Sequence, residues 1–180
     1  MAKEVVIIST SLRGGSNSDI LARECERGAK EAGHEVEYIS LKGKEIKYCI
    51  GCLSCQVNGV CVLKDDVAEI MAKVKDAEVL VFATPIYYYE MAGQMKTLLD
   101  RLNPLFPFDY AFRDVYMIAT AAEDEDSAFE KAYSGLQGWV DCFGKAELKG
   151  IVTGSGIADP NDAGNHKDAM QKAYELGKSL

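Results

Sequence analysis

Val5-Val6-Ile7-Ile8 is a run of four β-branched residues ending in a small polar loop, Ser9 to Ser18. Such a run is apolar on both faces of a strand. It needs cover on both faces, which a parallel sheet between two helical layers provides and a half-solvated antiparallel sheet does not. The pattern returns at 79–83, 115–119 and 148–152, with a more alternating strand at 36–41. Helical spacing fills the intervals. It runs over 19–32 (Ile20, Leu21, Cys25, Ala29, Ala32) and stops at Gly33. It continues over 66–74 (Val67, Ile70, Met71, Val74), 92–102 (Met95, Leu98, Leu99), 128–143 and 168–178.

Strand and helix thus alternate five times, which implies βαβ units joined by right-handed crossovers. Five strands in 180 residues predict a flavodoxin-like, doubly wound parallel sheet of order 2-1-3-4-5 with helices on both faces. The length and a hydrophobic content of 48% suit one core, so residues 1–180 are expected to form one domain. Residues 42–64 alone lack periodicity and read as a Cys-rich insertion. An unstructured stretch of that length carries a function or a fastener.

Lys plus Arg total 20 and Asp plus Glu 28, a net charge of −8. That balance disfavours nucleic acid, and no basic run offers an exception. The apolar segment at 5–8 is too short for a secretory leader or a membrane span, so a soluble, cytoplasmic protein without membrane contact is expected. The two histidines have no nucleophile near them in sequence, which argues against a hydrolase. His34 reads as solvent-exposed in a turn. His166 falls beside a late loop, 154–165, that could approach a site or a partner subunit.

In a doubly wound sheet, ligands sit beyond the carboxyl ends of the strands. The loop after the first strand stands there and opens a helix, where backbone N–H groups and the helix dipole attract phosphate. Ser11, Ser16, Asn17 and Ser18 can donate, and Arg13 adds charge. Neither the Gly-Lys-Ser/Thr of a P-loop nor G-x-G-x-x-G is present. The competing reading is a plain capping loop with Asn17 or Ser18 as N-cap.

Two further segments carry a resemblance. Thr84-Pro85-Ile86-Tyr87-Tyr88-Tyr89 follows the third strand, and Gly93-Gln94-Met95-Lys96 and Asp100-Arg101 follow it. With Ser11-Leu12-Arg13 and Asn17-Ser18, this resembles the NAD(P)H-dependent FMN reductase family. That family shows a Gly-Ser-Pro-Arg-x-x-Gly-Asn-Thr loop, then Thr-Pro-x-Tyr, Gly-x-x-Lys and Asp-Arg. Thr10, Leu12, Ser16 and Ser18 depart from the loop pattern, and only Leu12 abandons its character. The resemblance implies FMN, with its phosphate at Ser11, Arg13, Ser16, Asn17 and Ser18. Its ring would lie along Thr84, Pro85, Ile86, Tyr87 and Tyr88. The third family loop would be Thr120 and Ala121, here followed by the acidic run Glu123-Asp124-Glu125-Asp126. That run reads as a helix N-terminus, or as a group that tunes the flavin and disfavours the extra phosphate of NADPH. The resemblance further implies NAD(P)H as donor and a homodimer or homotetramer.

Four of the six cysteines form Cys49-x2-Cys52-x2-Cys55-x5-Cys61. Three readings stand. Successive x2 spacing suits a cubane, zinc prefers two separated Cys-x-x-Cys pairs, and a reduced loop could simply pack at an interface. The segment resembles the iron–sulfur flavoproteins, a branch of the same family, in which four such cysteines hold a [4Fe-4S] cluster near the flavin. A ferredoxin could then replace NAD(P)H as donor. Cys25 and Cys142 read as small hydrophobes buried in helices.

The expected function is an FMN-dependent oxidoreductase that passes electrons from NAD(P)H or ferredoxin to an unknown acceptor. No residue reads as an essential general acid or base. A flavodoxin-like carrier without NAD(P)H oxidation is the alternative, and a colourless binding module a third.

Overall fold

The computed structural model describes all 180 residues. Strands β1 (Glu4–Ser9), β2 (Glu35–Ser40), β3 (Val79–Tyr87), β5 (Asp114–Thr120) and β6 (Glu147–Gly154) are parallel neighbours in the order β2-β1-β3-β5-β6. This is the expected doubly wound, flavodoxin-like order. One addition was not expected: β4 (Glu90–Met91) folds back antiparallel on the end of β3, pairing Tyr87 with Glu90 and Ile86 with Met91. A two-residue strand leaves no periodicity to read.

Each central strand feeds two cores. Val5 and Ile7 of β1 point into a layer closed by α1 (Asn17–Glu31) and α6 (Lys167–Ser179). Val6 and Ile8 point the other way, to α3 (Val67–Asp76), α4 (Gly93–Arg101) and α5 (Glu130–Val140). Burying each such side chain contributes roughly 1.5–3 kcal/mol. Helices α1 and α6 meet backbone to backbone at two glycines. A Cβ on Gly28 would stand 2.1 Å from the Tyr174 carbonyl oxygen, and one on Gly177 would stand 2.0 Å from that of Cys25. On the opposite face the Trp139 ring lies against Phe143 (4.5 Å between centroids) and edge-on to Phe82 (5.8 Å). Its indole N–H donates to the Leu99 carbonyl at 3.2 Å.

Several local expectations are corrected. The N-cap of α1 is Ser16, whose Oγ accepts from Asp19 N at 3.4 Å, because Asn17 and Ser18 already have helical geometry. Helix α5 is preceded by a 3-10 turn at Asp126–Phe129 and ends at Val140. Cys142 therefore falls beyond the helix and is exposed, whereas Cys25 is buried as expected; burial pushes the Cys25 thiol up to about 12. His34 is half-buried and accepts from Lys3 N through Nδ1 at 3.1 Å. The Cys-rich stretch contains a short helix, α2 (Ser54–Asn58), entered through Leu53 at φ 57°. No helix is long and apolar enough to cross a membrane.

Candidate functional site

The carboxyl ends of β1, β3 and β5 open on a cleft of about 390 Å³, within the range of cofactor pockets. Ser11, Arg13, Ser16, Asn17, Pro85, Ile86, Tyr87, Tyr88 and Thr120 line it. Three other candidates turn inward. Ser18 is buried against the Ser16 hydroxyl at 3.2 Å. Thr84 accepts from Ala92 N at 3.0 Å and so ties β3 to the start of α4. Ala121 donates its N–H to the Gly154 carbonyl and accepts from Ile157 N. Tyr89, Ala122, Glu123, Ile157 and Ala158 line it as well, so the start of the acidic run and the late loop both reach the cleft.

The N-terminus of α1 faces this cleft with first-turn N–H groups that have no partner within the helix. The side chain of Asn17 is not free to join them. Its Nδ2 donates to the Asp159 carbonyl at 2.9 Å and its Oδ1 accepts from Ala163 N at 3.0 Å. Asn161 N donates to the Gly15 carbonyl at 2.9 Å. Arg13 reaches across to the Ala158 carbonyl at 3.1 Å. The late loop is thereby fastened to the loop between β1 and α1 and supplies the back wall of the cleft.

The opposite wall is the β3–β4 hairpin. Tyr88 and Tyr89 both have positive φ, 53° and 66°, as a two-residue type I′ turn requires at both central positions. The left-handed region costs a non-glycine residue roughly 1–2 kcal/mol. Tyr88 does not offset this by burial, since it is 99% exposed.

A second cavity, of about 590 Å³, lies over the Trp139–Phe143 wall. Cys49, Cys52, Cys55 and Cys61 all line it, joined by Cys142. All are free thiols, and Asn103 Nδ2 approaches Cys55 Sγ at 3.1 Å. No three His, Cys, Asp or Glu side chains converge on a single ion position, which is the geometry a zinc site needs.

The ends of this cysteine loop are stapled. Asp66 N donates to the Glu45 carbonyl at 3.1 Å, Glu45 N to Asp66 Oδ2 at 2.7 Å, and Lys47 N to Asp65 Oδ2 at 2.8 Å. Beneath them Arg101, from the end of α4, grips Asp65 through both Nη atoms at 2.6 and 2.9 Å and donates to the Lys47 carbonyl at 2.7 Å. The two side chains are 1% and 0% exposed. Burial alone would raise the Asp65 carboxyl; the Arg101 hydrogen bonds and the N–H groups of Lys47 and Val67 outweigh it and hold the carboxyl below its ordinary value. Arg101 is in turn held above its ordinary value, first by Asp65 against the opposing effect of burial, with Cys61 adding to it.

The chain is 41% identical over 102 residues to an iron-sulfur flavoprotein of Methanocaldococcus jannaschii, a match covering 57% of this chain and 53% of that protein. The matched segment spans about half the length of several such relatives. An iron-sulfur flavoprotein of Methanosarcina thermophila is 28% identical over 174 residues, 96% of this chain and 91% of that protein. Among solved structures, an NAD(P)H:quinone oxidoreductase from Methanothermobacter marburgensis superposes with a TM-score of 0.77 at 17% identity, covering 100% of this chain and 96% of that one; at that identity the likeness is one of fold. The sequence pattern of the NADPH-dependent FMN reductases matches residues 4–134, and the chain belongs to that family.

Proposed function

We propose that this protein is an FMN-dependent oxidoreductase that takes electrons from a nicotinamide donor and passes them on, with an iron–sulfur cluster at its four-cysteine loop. The observation that carries the flavin reading is the shared cleft, where the α1 N-terminus and a strained tyrosine hairpin face one space. The N–H groups at the start of α1, with Arg13 beside them, suit a phosphate. Pro85, Ile86 and Tyr87 offer apolar and aromatic surface suited to a flat, electron-poor ring. The late loop excludes water from the back of the cleft. The flavin, when bound, supplies hydride and one-electron chemistry; the chain orients it and tunes its electronics.

The cysteine cavity fits a cubane better than a single ion. A cubane takes one thiolate at each of four irons, so its ligands stand round a volume rather than meet at a point. Four thiols around one apolar-walled cavity provide that donor set. Iron-sulfur flavoproteins among the relatives support the same reading. A ferredoxin could then serve as the donor. Exposed Ile50 and Phe106 at the cysteine cavity and Tyr88 at the cleft give apolar surface suited to burial in a homodimer or homotetramer.

Anaerobic purification, a visible spectrum, and iron and sulfide assays on the same sample test both parts. Flavin bands near one per chain with roughly four irons are expected. A colourless protein that FMN cannot reconstitute overturns the flavin reading, and iron-free flavoprotein overturns the cluster reading. Rapid NADH or NADPH oxidation distinguishes the reductase from a flavodoxin-like carrier.

A further inference from the structure

Between Tyr48 and Leu63 the cysteine loop carries no charged side chain. A single hydrogen bond joins this stretch to the rest of the chain, from Asn103 Nδ2 to Cys55 Sγ at 3.1 Å. The bonds from Gln56 N to the Leu53 carbonyl, Gly59 N to the Cys55 carbonyl and Asn58 Nδ2 to Ser54 Oγ all stay inside the loop. Of the four loop thiols Cys55 is the buried one, while Cys49 and Cys52 are exposed. Asn103 itself stands on a fixed post. Leu102 before it closes α4 with its N–H on the Leu98 and Leu99 carbonyls. Pro104 after it has its φ locked, and the Asn103 carbonyl accepts from Phe106 N at 3.1 Å. Leu99, Asn103 and Phe106 line the cysteine cavity together, and the Trp139 indole ties down the Leu99 carbonyl. Gln56 and Asp100 also line it, but Asp100 is spent on Lys96 at 2.7 Å. The Asn103 amide is the one side-chain N–H placed on a cysteine sulfur of this cavity.

We propose that Asn103 is the positioning residue for Cys55: its amide N–H holds this sulfur in place as a cluster ligand and raises the reduction potential of the cluster bound there. The proposal rests on the four-thiol reading above. A free thiol can meet either end of an amide, but a thiolate offers only lone pairs and takes the N–H end. With the sulfur charged, the bond joins the shorter and stronger charge-assisted class. Reduction of a cluster adds negative charge, and an N–H fixed on one of its sulfurs stabilises the reduced state more than the oxidised one. The donor also comes from an element that does not belong to the loop, so it orients the ligand against a wall rather than moving with it. Asn103 is not among the residues of the flavin cleft, so the flavin couple serves as an internal reference.

Three replacements test this. Asn103→Leu keeps the volume and loses the donor, Asn103→Asp keeps the shape and puts a carboxylate against the sulfur, and Asn103→Gln keeps the amide on a longer stem. Each is loaded with iron and sulfide under anaerobic conditions beside the wild type, with flavin absorbance as the control for folding. The readouts are the midpoint potential of the cluster, from redox titration followed by electron paramagnetic resonance, and iron release to a chelator. Asn103→Leu should shift the reduction equilibrium of the cluster about tenfold toward the oxidised state, about 59 mV more negative for a one-electron couple, and Asn103→Asp should shift it further. Iron release should be about tenfold faster in both, as for the loss of an outer partner of a metal ligand. Asn103→Gln should lie nearest the wild type, and the flavin couple should not move. A contact that only fills space predicts the wild-type potential for Asn103→Leu. Wild-type potential and release in both Asn103→Leu and Asn103→Asp overturn the role of Asn103 and leave the cluster reading intact. If Asn103→Leu binds flavin but assembles no cluster, the other two decide, and equal potentials in Asn103→Gln and Asn103→Asp overturn the proposal. A wild type that takes up no iron overturns the cluster reading, and this proposal with it.

Discussion

Asn17 and Asp159 lie 142 residues apart in the chain, yet the amide of the first donates to the carbonyl of the second at 2.9 Å. With the return bond from Ala163 N, one side chain ties the first loop of the sheet to the last. Asn17→Ala leaves a buried N–H and a carbonyl without partners. A loss of about 1–3 kcal/mol is expected in urea unfolding. Because the loop it frees forms the back wall of the cleft, FMN affinity should fall about tenfold, or 1.4 kcal/mol, read by flavin fluorescence titration. Unchanged affinity would detach that wall from binding.

The hairpin tyrosines separate stability from binding. Tyr88→Gly removes left-handed strain of roughly 1–2 kcal/mol and loses no burial, against an entropic cost of about 0.5–1 kcal/mol. The apoprotein should melt at the same temperature or slightly higher. FMN should bind more weakly, since an aromatic face at the cleft mouth is gone. A variant that is less stable when apo would show that Tyr88 packs in the isolated chain.

Gly28→Ala sets two effects against each other. Helix propensity favours alanine by about 1 kcal/mol, but the new Cβ would meet the Tyr174 carbonyl at 2.1 Å. Backbone cannot give way as a flexible side chain does, so overpacking prevails and a net loss of about 1–3 kcal/mol is expected. Gly177→Ala should behave alike. Neutral or raised stability in chemical denaturation would mean that α1 and α6 slide apart without cost.

The Asp65 carboxyl is held below its ordinary value in the folded chain. Its contribution is therefore complete above the unfolded value, roughly 3.9, and is lost as pH falls through the lower folded value. Hydrogen exchange across 45–66 should accelerate selectively in that acid range. Asp65→Asn should abolish the acid step and open the loop at neutral pH, at a cost of about 3–5 kcal/mol for the uncompensated Arg101.

Glu123 lines the cleft mouth, where a carboxylate repels the extra phosphate of NADPH. The protein should prefer NADH. Glu123→Gln should raise kcat/KM for NADPH about fivefold, the effect of the ~1 kcal/mol that a single charge contact carries in water, and leave NADH unchanged. A wild-type preference for NADPH in steady-state kinetics would sink this reading.

The sheet was legible because buried parallel strands advertise themselves as runs such as Val5–Ile8 and Val79–Ala83, whose cover can only be helical. Much of the cleft was legible for a related reason: in a doubly wound sheet, the loops after β1, β3 and β5 must end on one side. For Ile157, Ala158 and Glu123 only their loops could be singled out, since an apolar or acidic residue in a loop looks the same whether or not the fold brings it to a cleft. Ser18, Thr84 and Ala121 sit beside lining residues in sequence, but the backbone turns them inward. The partnership of Arg101 with Asp65 was hidden because it joins positions 36 residues apart through a carboxylate that charge counting treats as surface. Cys142 was misread because α5 stops two residues short of it.

The fastening of the first loop to the last also sets an order of events during synthesis. Asn17 leaves the ribosome 146 residues ahead of Ala163. At roughly 5–20 residues per second that gap lasts on the order of 7–30 seconds. Throughout it the loop between β1 and α1 has neither the carbonyl of Asp159 nor the N–H of Asn161 to shape it, even after β1, β3 and β5 could have paired. The cleft is thus finished late, and a small molecule meets its complete walls only when the closing segment has emerged and docked.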